Sequence, residues 1–266
     1  MMRLLRIEWN KIQPYRAFRI LIGLYLVSFI ALPYSMERIP FLQNWQQLFE
    51  FPTIWFSYYF GAEFLSFALA IIVITITTNE YSNRTFRQHV IDGLSRNDLV
   101  TGKLLLMAVL AAVLMILLVV NGYIAGMLNA FEADYSGAWI KAGYIPGFFL
   151  HTVGIMAFSF FLGNLFRRTG LAIFAFIAWV FPVELILRGL LAGVAKDGGM
   201  ISDRLPVAVI YSSNVDMGEM FSNPTAILNL NEFIPGSLGL ENSLMKIGWT
   251  VVFFGLSWWM IRRRDL

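Results

Sequence analysis

The chain has 266 residues, of which 58% are hydrophobic and only 14% are charged. This composition excludes an ordinary soluble domain, in which about a quarter of the residues are charged. Apolar runs of about 20 residues recur, the length that a helix needs to cross a bilayer, so the composition predicts an all-α membrane protein. The net charge of +3 therefore does not indicate a nucleic-acid partner. In a membrane protein the informative feature is which loops carry the positive residues.

The first 16 residues have the pattern of an amphipathic helix that lies in the membrane interface. Leu5, Trp9 and Ile12 share one face of this helix. The basic and polar residues lie largely away from that face: Arg3, Arg6, Asn10 and Lys11. The apolar face would rest in the interface, with the basic flank among anionic headgroups. Pro14 is expected to end this helix or to bend it into the first span.

Six segments are apolar and long enough to span a membrane. We place these spans at residues 17–33, 55–78, 104–128, 144–166, 171–191 and 244–261. A long polar segment, residues 193–245, precedes the last span, and its apolar patches at 206–211 and 225–234 are too short to cross. These patches are either half-inserted elements that cover the mouth of the bundle or small helices on a surface loop.

The distribution of Lys and Arg predicts the orientation of these spans. Fourteen of the 20 Lys and Arg residues fall on one side, together with both termini and residues 79–103, the inner segment. The positive-inside rule makes this side cytoplasmic and leaves residues 193–245 outside. The absence of cysteine fits a bacterial inner membrane, so we expect a multi-pass protein of that membrane with both termini in the cytoplasm.

The inner segment is the longest polar stretch between two apolar runs in the first half of the chain. Residues 85–91 can form a short helix with Phe86 and Val90 on one face. Gly93 is expected to end this helix, because glycine tolerates the left-handed conformation of a helix stop.

A second helix is expected to begin directly after that turn. Ser95 and Asp98 have the spacing of a capping box, and the helix they start runs into the third span. The inner segment would then be a rigid projection at the membrane surface; the alternative is an ordinary solvated loop with basic residues.

Several ionisable residues lie within the predicted spans, and we consider Glu63, Glu184, Arg188 and His151 here. Glu63 is in the outer third of the second span, where its carboxylate would either reach the surface or face a polar cavity, and we expect the surface. Glu184 and Arg188 are four residues apart on one helix face, which predicts a structural ion pair, with contact to a translocating substrate as the alternative. His151 is expected to pack or form hydrogen bonds and not to bind a metal.

The motifs of several enzyme classes are missing from the sequence. Gly102-Lys103 is followed by Leu104, so no phosphate-binding loop is present and the chain should not hydrolyse ATP itself. The two histidines lie on a loop and in a span, too far apart in the predicted topology to share a metal. We therefore expect no catalytic residue, no metal site and no bound cofactor in this chain.

Several residues of the inner segment resemble the membrane subunits of type-2 ABC transporters. An acidic residue ends the second span, Thr-Phe-Arg and Ser-Arg follow, and Gly-Lys opens the third span. These residues are Glu80, Thr85-Phe86-Arg87, Ser95-Arg96 and Gly102-Lys103. The chain departs from the family pattern at Arg84, where a glycine is usual, and at Gly93-Leu94, where a proline is usual. The resemblance extends to the amphipathic first helix, the six spans, the long outer segment and the basic tail.

The resemblance implies that the inner segment is a cytoplasmic coupling helix, which docks in a groove of a separate ATP-binding subunit. The residues implied in this contact are Glu80, Arg84, Thr85, Phe86, Arg87, Val90, Ser95, Arg96 and Lys103. The amino-terminal helix would also touch that subunit, through Leu5, Trp9 and Ile12. Two permeases, identical or homologous, would combine with two ATPases among the membrane lipids, and the ATPases would bind the ATP and Mg²⁺.

The leading hypothesis is a permease of an ATP-driven ABC exporter that moves a lipid-like molecule, a peptide or a drug. One alternative is a membrane anchor on which an ABC ATPase does mechanical work on surface machinery without transport. A further alternative is an intramembrane enzyme that uses Glu184, Arg188 and His151. The substrate is not encoded in any motif that we recognise.

Overall fold

The computed structural model of the chain describes residues 2–36, 48–83, 93, 95–129, 137–194, 201–213, 215 and 230–263. Every regular element in these ranges is helical, which confirms the predicted all-α class. The helices are α1 (Met2–Ile12), α2 (Arg16–Met36), α3 (Ile54–Ser82), α4 (Arg96–Asn129), α5 (Tyr144–Phe166), α6 (Thr169–Ala178), α7 (Glu184–Val194), α8 (Pro206–Ile210), α9 (Leu230–Phe233) and α10 (Leu240–Arg263).

Five helices of the described residues are individually long and apolar enough to cross a membrane: α3, α4, α5, the joined α6 and α7, and α10. The pair α1 and α2 adds a sixth span if it is counted as one bent element. These lengths confirm a multi-pass membrane protein.

The chain turns by 99° between α1 and α2, at the position of Pro14. Proline has no backbone N–H and clashes with the preceding helical turn, so the predicted bend at this residue is confirmed. Ile12 is buried, as expected, whereas the Trp9 side chain is 44% exposed. Lys11 was expected on the basic flank among the lipid headgroups, but it pairs with Glu8 and with Glu80 of α3.

Helices α3 and α5 form the buried centre of the bundle. They approach closely where Gly163 of α5 faces Thr77 of α3: a Cβ atom added at Gly163 would lie 2.9 Å from Cβ of Thr77. Small residues allow helix backbones to pack at such short range within a membrane. The chain then reverses at Arg167, which has a left-handed backbone with φ of 54°, and α6 begins two residues later.

The start of α4 has the predicted cap. The backbone N–H of Ser95 donates to Oδ2 of Asp98 at 3.1 Å, and the N–H of Asp98 donates to Oγ of Ser95 at 3.1 Å. Gly93 has a φ of 89°, the left-handed conformation expected of a helix stop. The predicted short helix at residues 85–91 lies outside the described residues.

Helices α6 and α7 are joined by a π-helical turn, Trp179–Val183, that contains Pro182. The missing N–H of proline explains the altered hydrogen-bond pattern at this point. Beyond α7, every residue of the short helix α8 is buried, and α8 packs against α5 and α10. Burial favours an inserted element over a surface helix for this patch.

We predict that Gly163→Ala destabilises the bundle, because the new methyl group forces α5 away from Thr77. Overpacking of this kind costs about 1–3 kcal/mol, which should lower the thermal unfolding midpoint of the purified protein. Gly248→Ala is the matched control, since a Cβ atom added at Gly248 meets nothing within 4 Å. Equal midpoints for the two variants would contradict the close α3–α5 contact.

Candidate functional site

Four charged side chains from three helices meet where α3 ends and α4 begins. We call Glu8, Lys11, Glu80 and Lys103 the charge cluster. Nζ of Lys103 lies 2.5 Å from Oε2 of Glu8 and 2.5 Å from Oε1 of Glu80. Nζ of Lys11 lies 3.5 Å from the same Glu80 oxygen and also pairs with Glu8. The two ammonium groups balance the two carboxylates, and the cluster joins α1 to both helices that flank the inner segment.

The charge cluster is buried. The Lys103 residue is only 2% exposed, and Glu8 and Glu80 are buried with it. Burial by itself opposes ionisation of Glu8, but the ammonium groups of Lys103 and Lys11 hold the pKa of its carboxyl below its usual range. Removing one partner from such a buried group leaves an uncompensated charge, which costs about 3–5 kcal/mol.

Gly102 explains how α1 can come so close to α4. A Cβ atom added at Gly102 would lie 3.2 Å from Cγ of Glu8, tighter than ordinary packing allows. The absent side chain therefore makes room for Glu8 to reach Lys103. The Gly-Lys pair at the opening of the third span thus has a structural reason: the first residue admits α1 and the second binds it.

The first turn of α4 also holds the carboxyl end of α10. Nη1 of Arg96 donates to the carbonyl oxygens of Arg262 at 2.7 Å and Ile261 at 3.3 Å. Nε1 of Trp258 donates to Oδ1 of Asn97 at 2.9 Å. A guanidinium at this position satisfies carbonyls that have no partner within their own helix and complements the negative end of the helix dipole.

Glu184 holds α8 against α7 at the end of the bundle opposite the charge cluster. We call this end, which contains Glu184 and α8, the far end. Oε2 of Glu184 accepts hydrogen bonds from the backbone N–H of Val207 at 3.0 Å and from Nε1 of Trp179 at 3.1 Å, and Oε1 accepts from the N–H of Ala208. The predicted pair with Arg188 is present but long, with Nε at 4.0 Å from Oε1. The backbone amides are thus closer partners of Glu184 than the arginine, a role that the sequence does not signal.

A second cluster of polar side chains lies beside the half of α3 that is nearer the far end. Nζ of Lys246 donates to the Tyr59 hydroxyl at 3.0 Å and to the carbonyls of Val209 at 2.8 Å and Ile210 at 2.6 Å. Nδ1 of His151 lies 2.8 Å from the Ile210 carbonyl. A carbonyl oxygen can only accept, so Nδ1 carries the proton.

His151 therefore forms a hydrogen bond within the core, as expected. In the part of the chain that the structure describes, no group of three or more His, Asp or Glu side chains is placed to hold a metal ion.

The expectation for Glu63 is wrong. Its side chain does not reach the surface but is buried, with 9% exposure, and it lines a cavity of about 1100 Å³ at the far end. The sequence could not distinguish these alternatives, because the cavity wall comes from residues more than a hundred positions away. Lys246 and Tyr59, which form a buried hydrogen bond with each other, are polar residues that the sequence analysis did not single out.

A family model described as ABC-2 family transporter protein matches residues 4–186, more than half of the chain. The chain belongs to this family. As an ABC-2 permease it is a membrane transport component and not itself a catalyst, and its membership implies association with an ABC ATP-binding subunit. The match includes all four residues of the charge cluster and ends within α7. No curated protein matches the chain.

In the ABC-2 permease, two residues of the predicted coupling set, Glu80 and Lys103, are in contact. Two others, Ser95 and Arg96, lie at the start of α4. Five further members lie outside the described residues: Arg84, Thr85, Phe86, Arg87 and Val90. The three residues predicted to touch the ATP-binding subunit from α1 are not equivalent. Ile12 is buried within the chain, Leu5 packs partly buried against the core, and Trp9 is the most exposed of them.

We predict that Lys103→Met strongly destabilises the ABC-2 permease, because it leaves the carboxylates of Glu8 and Glu80 buried with only the more peripheral Lys11 to balance them. The expected loss is about 3–5 kcal/mol, measured as a lower thermal unfolding midpoint and as faster proteolytic release of α1.

Two controls make this prediction specific to charge. Lys11→Met should have a much smaller effect, since Lys11 lies at the edge of the cluster with a side chain that is 16% exposed. The triple variant with Glu8→Gln, Glu80→Gln and Lys103→Met should recover part of the lost stability, because no unpaired charge remains. If Lys103→Met and Lys11→Met behaved alike, the central role of Lys103 would be wrong.

Proposed function

We propose that this permease is the membrane subunit of an ATP-driven ABC exporter, and that its inner segment receives the movement of a separate ATP-binding subunit. The observation that carries the proposal is the charge cluster. It links Glu80, at the amino-terminal end of the inner segment, directly to Lys103, at the carboxyl-terminal end, and it links both to α1. Because its two ends are joined in this way, a push on the inner segment would act on both helices that flank it.

The packing of the bundle supports this route for the movement. A force on residues 84–94 would reach α3 and α4 together, because Lys103 holds their ends at a fixed separation. The bond from Arg96 to the end of α10 adds a third helix to the moving group. The ATP state of the partner would then change the relative stability of two arrangements of the bundle.

The contact with the ATP-binding subunit would combine apolar and basic residues. Phe86 and Val90 would be apolar anchors in a groove of that subunit, and Arg84 and Arg87 would pair with its carboxylates. The exposed ring of Trp9 supports a further contact from α1. Ile12 faces the core instead and would act by holding α1 in place.

The assembly follows from the charge distribution and the family. The basic side of the protein, with both termini and the charge cluster, would face the cytoplasm. Two permeases, identical or homologous, would combine with two ATP-binding subunits that hold the ATP and Mg²⁺. The protein would lie in a bacterial inner membrane and move a lipid-like molecule, a peptide or a drug.

Deletion of residues 85–91 tests the proposal. The permease would be co-expressed with the ABC ATP-binding subunit from a neighbouring reading frame and purified through a tag on the permease. We expect the ATP-binding subunit to be lost from the deleted permease, because the deletion removes the apolar anchors while the charge cluster still joins α3 to α4.

The control is a deletion of equal length in the predicted outer segment, residues 216–222, which should leave co-purification unchanged. The unfolding midpoint of each variant shows that the bundle is intact. Undiminished association after deletion of residues 85–91 would count against the coupling role.

A further inference from the structure

We propose that the cavity at the far end binds an amphipathic organic cation with a primary ammonium group, and that the carboxyl group of Glu63 is its partner. This inference rests on the proposed function, because it names the class of substrate that the permease moves. Its basis is the geometry of the cavity and the bonding of the charged groups around it.

The cavity is large enough for a drug-sized ligand. Its volume is about 1100 Å³, slightly above the range of about 300–1,000 Å³ for small-molecule pockets. Part of its wall is apolar, with Val180, Phe181 and Leu185 from the π turn and α7. Tyr211 and Ser212 contribute polar groups beyond α8. A ligand with an apolar body and a polar group fits this lining.

Glu63 has an unsatisfied carboxyl oxygen in this wall. Its Oε1 atom is buried and has no hydrogen-bond partner among the described residues. An unpaired carboxylate at this depth is costly in a membrane protein, and such a residue marks a functional site by default. A ligand that brings a charged N–H donor would supply the missing partner.

The neighbouring polar groups do not meet this need. The hydroxyl of Tyr59 has a single proton, which it donates to the Ser212 carbonyl at 3.0 Å. Lys246 has three N–H bonds, and Tyr59 and two backbone carbonyls accept all three. None of these bonds of Lys246 is to Oε1 of Glu63.

The remaining charges of the cavity favour a cation over an anion. Glu184 is committed to the amides of α8 and to Arg188. Arg204 and Glu241 pair with each other at 3.4 Å between Nη2 and Oε1. Among the described residues of the lining, the acidic groups outside these pairs are Glu63 and Asp203, so the described part of the lining carries a surplus of negative charge.

A primary ammonium group fits Glu63 better than a quaternary one. Oε1 needs a hydrogen-bond donor as well as a positive charge, and a quaternary nitrogen has no N–H. A charge-assisted bond of this kind is among the stronger polar contacts in proteins. The apolar body of the same ligand would lie against Phe181 and Leu185.

A matched pair of fluorescent probes tests the proposal. Monodansylcadaverine has an apolar, environment-sensitive ring and a primary ammonium group, and its N-acetylated analogue has the same ring without the charge. Each probe would be titrated into the full-length chain in phosphatidylcholine nanodiscs, with empty nanodiscs subtracted. We expect the ammonium probe to bind more tightly than the acetylated probe by about ten- to a hundredfold.

Glu63→Gln keeps the size of the side chain and removes its charge. We expect this variant to lose the preference for the ammonium probe and to bind the acetylated probe as the unaltered chain does. Glu232→Gln is the matched control, because Glu232 is exposed on α9 and does not line the cavity; it should keep the full preference.

Equal binding of the two probes to the unaltered chain would overturn the proposal, and so would an unchanged preference in Glu63→Gln. If that variant does not fold, the comparison of the two probes on the unaltered chain still decides. The assay contains no ATP-binding subunit, so a failure here leaves the co-purification result standing. A failure of co-purification would likewise leave the binding result standing.

Discussion

The pairing of the Lys103 ammonium with Glu8 and Glu80 is the interaction on which the proposed coupling mechanism depends. The two carboxylates in contact with Lys103 offset the cost of burying its charge, and they come from different helices. The Lys103 side chain therefore determines the position of α1 and the distance between the end of α3 and the start of α4. The absence of a side chain at Gly102 allows this contact, and Lys11 completes the charge balance.

Helix α3 connects this cluster to the cavity at the far end. It carries Glu80 in the cluster and Glu63 in the cavity wall, 17 residues apart in the sequence, which corresponds to about 25 Å along a helix. Because α3 is buried along most of its length against α5, it can move only together with its neighbours. The proposed coupling and the proposed ligand site thus lie on one rigid element, so a displacement at one end would alter the position of the carboxyl group at the other.

The predictions that held depend on neighbours in the sequence. The bend at Pro14, the left-handed backbone of Gly93 and the cap formed by Ser95 and Asp98 each follow from the backbone chemistry of a few adjacent residues. The helices that contain the predicted spans likewise follow from runs of apolar residues. The predictions that differ from the structure concern ionisable groups: Lys11 was expected among the lipid headgroups, and Glu63 was expected at the surface.

By itself, the sequence determined the all-α membrane class, the helices and the family resemblance carried by the Gly-Lys and Thr-Phe-Arg motifs, because hydrophobic length and local backbone chemistry are readable within one segment. Only the tertiary structure decided which charges meet. Glu8 and Lys103 are 95 positions apart, and Glu184 binds the amides of Val207 and Ala208, which lie more than 20 positions further along the chain. The burial of a charge depends on the partner that packing brings to it, and no local pattern contains that partner.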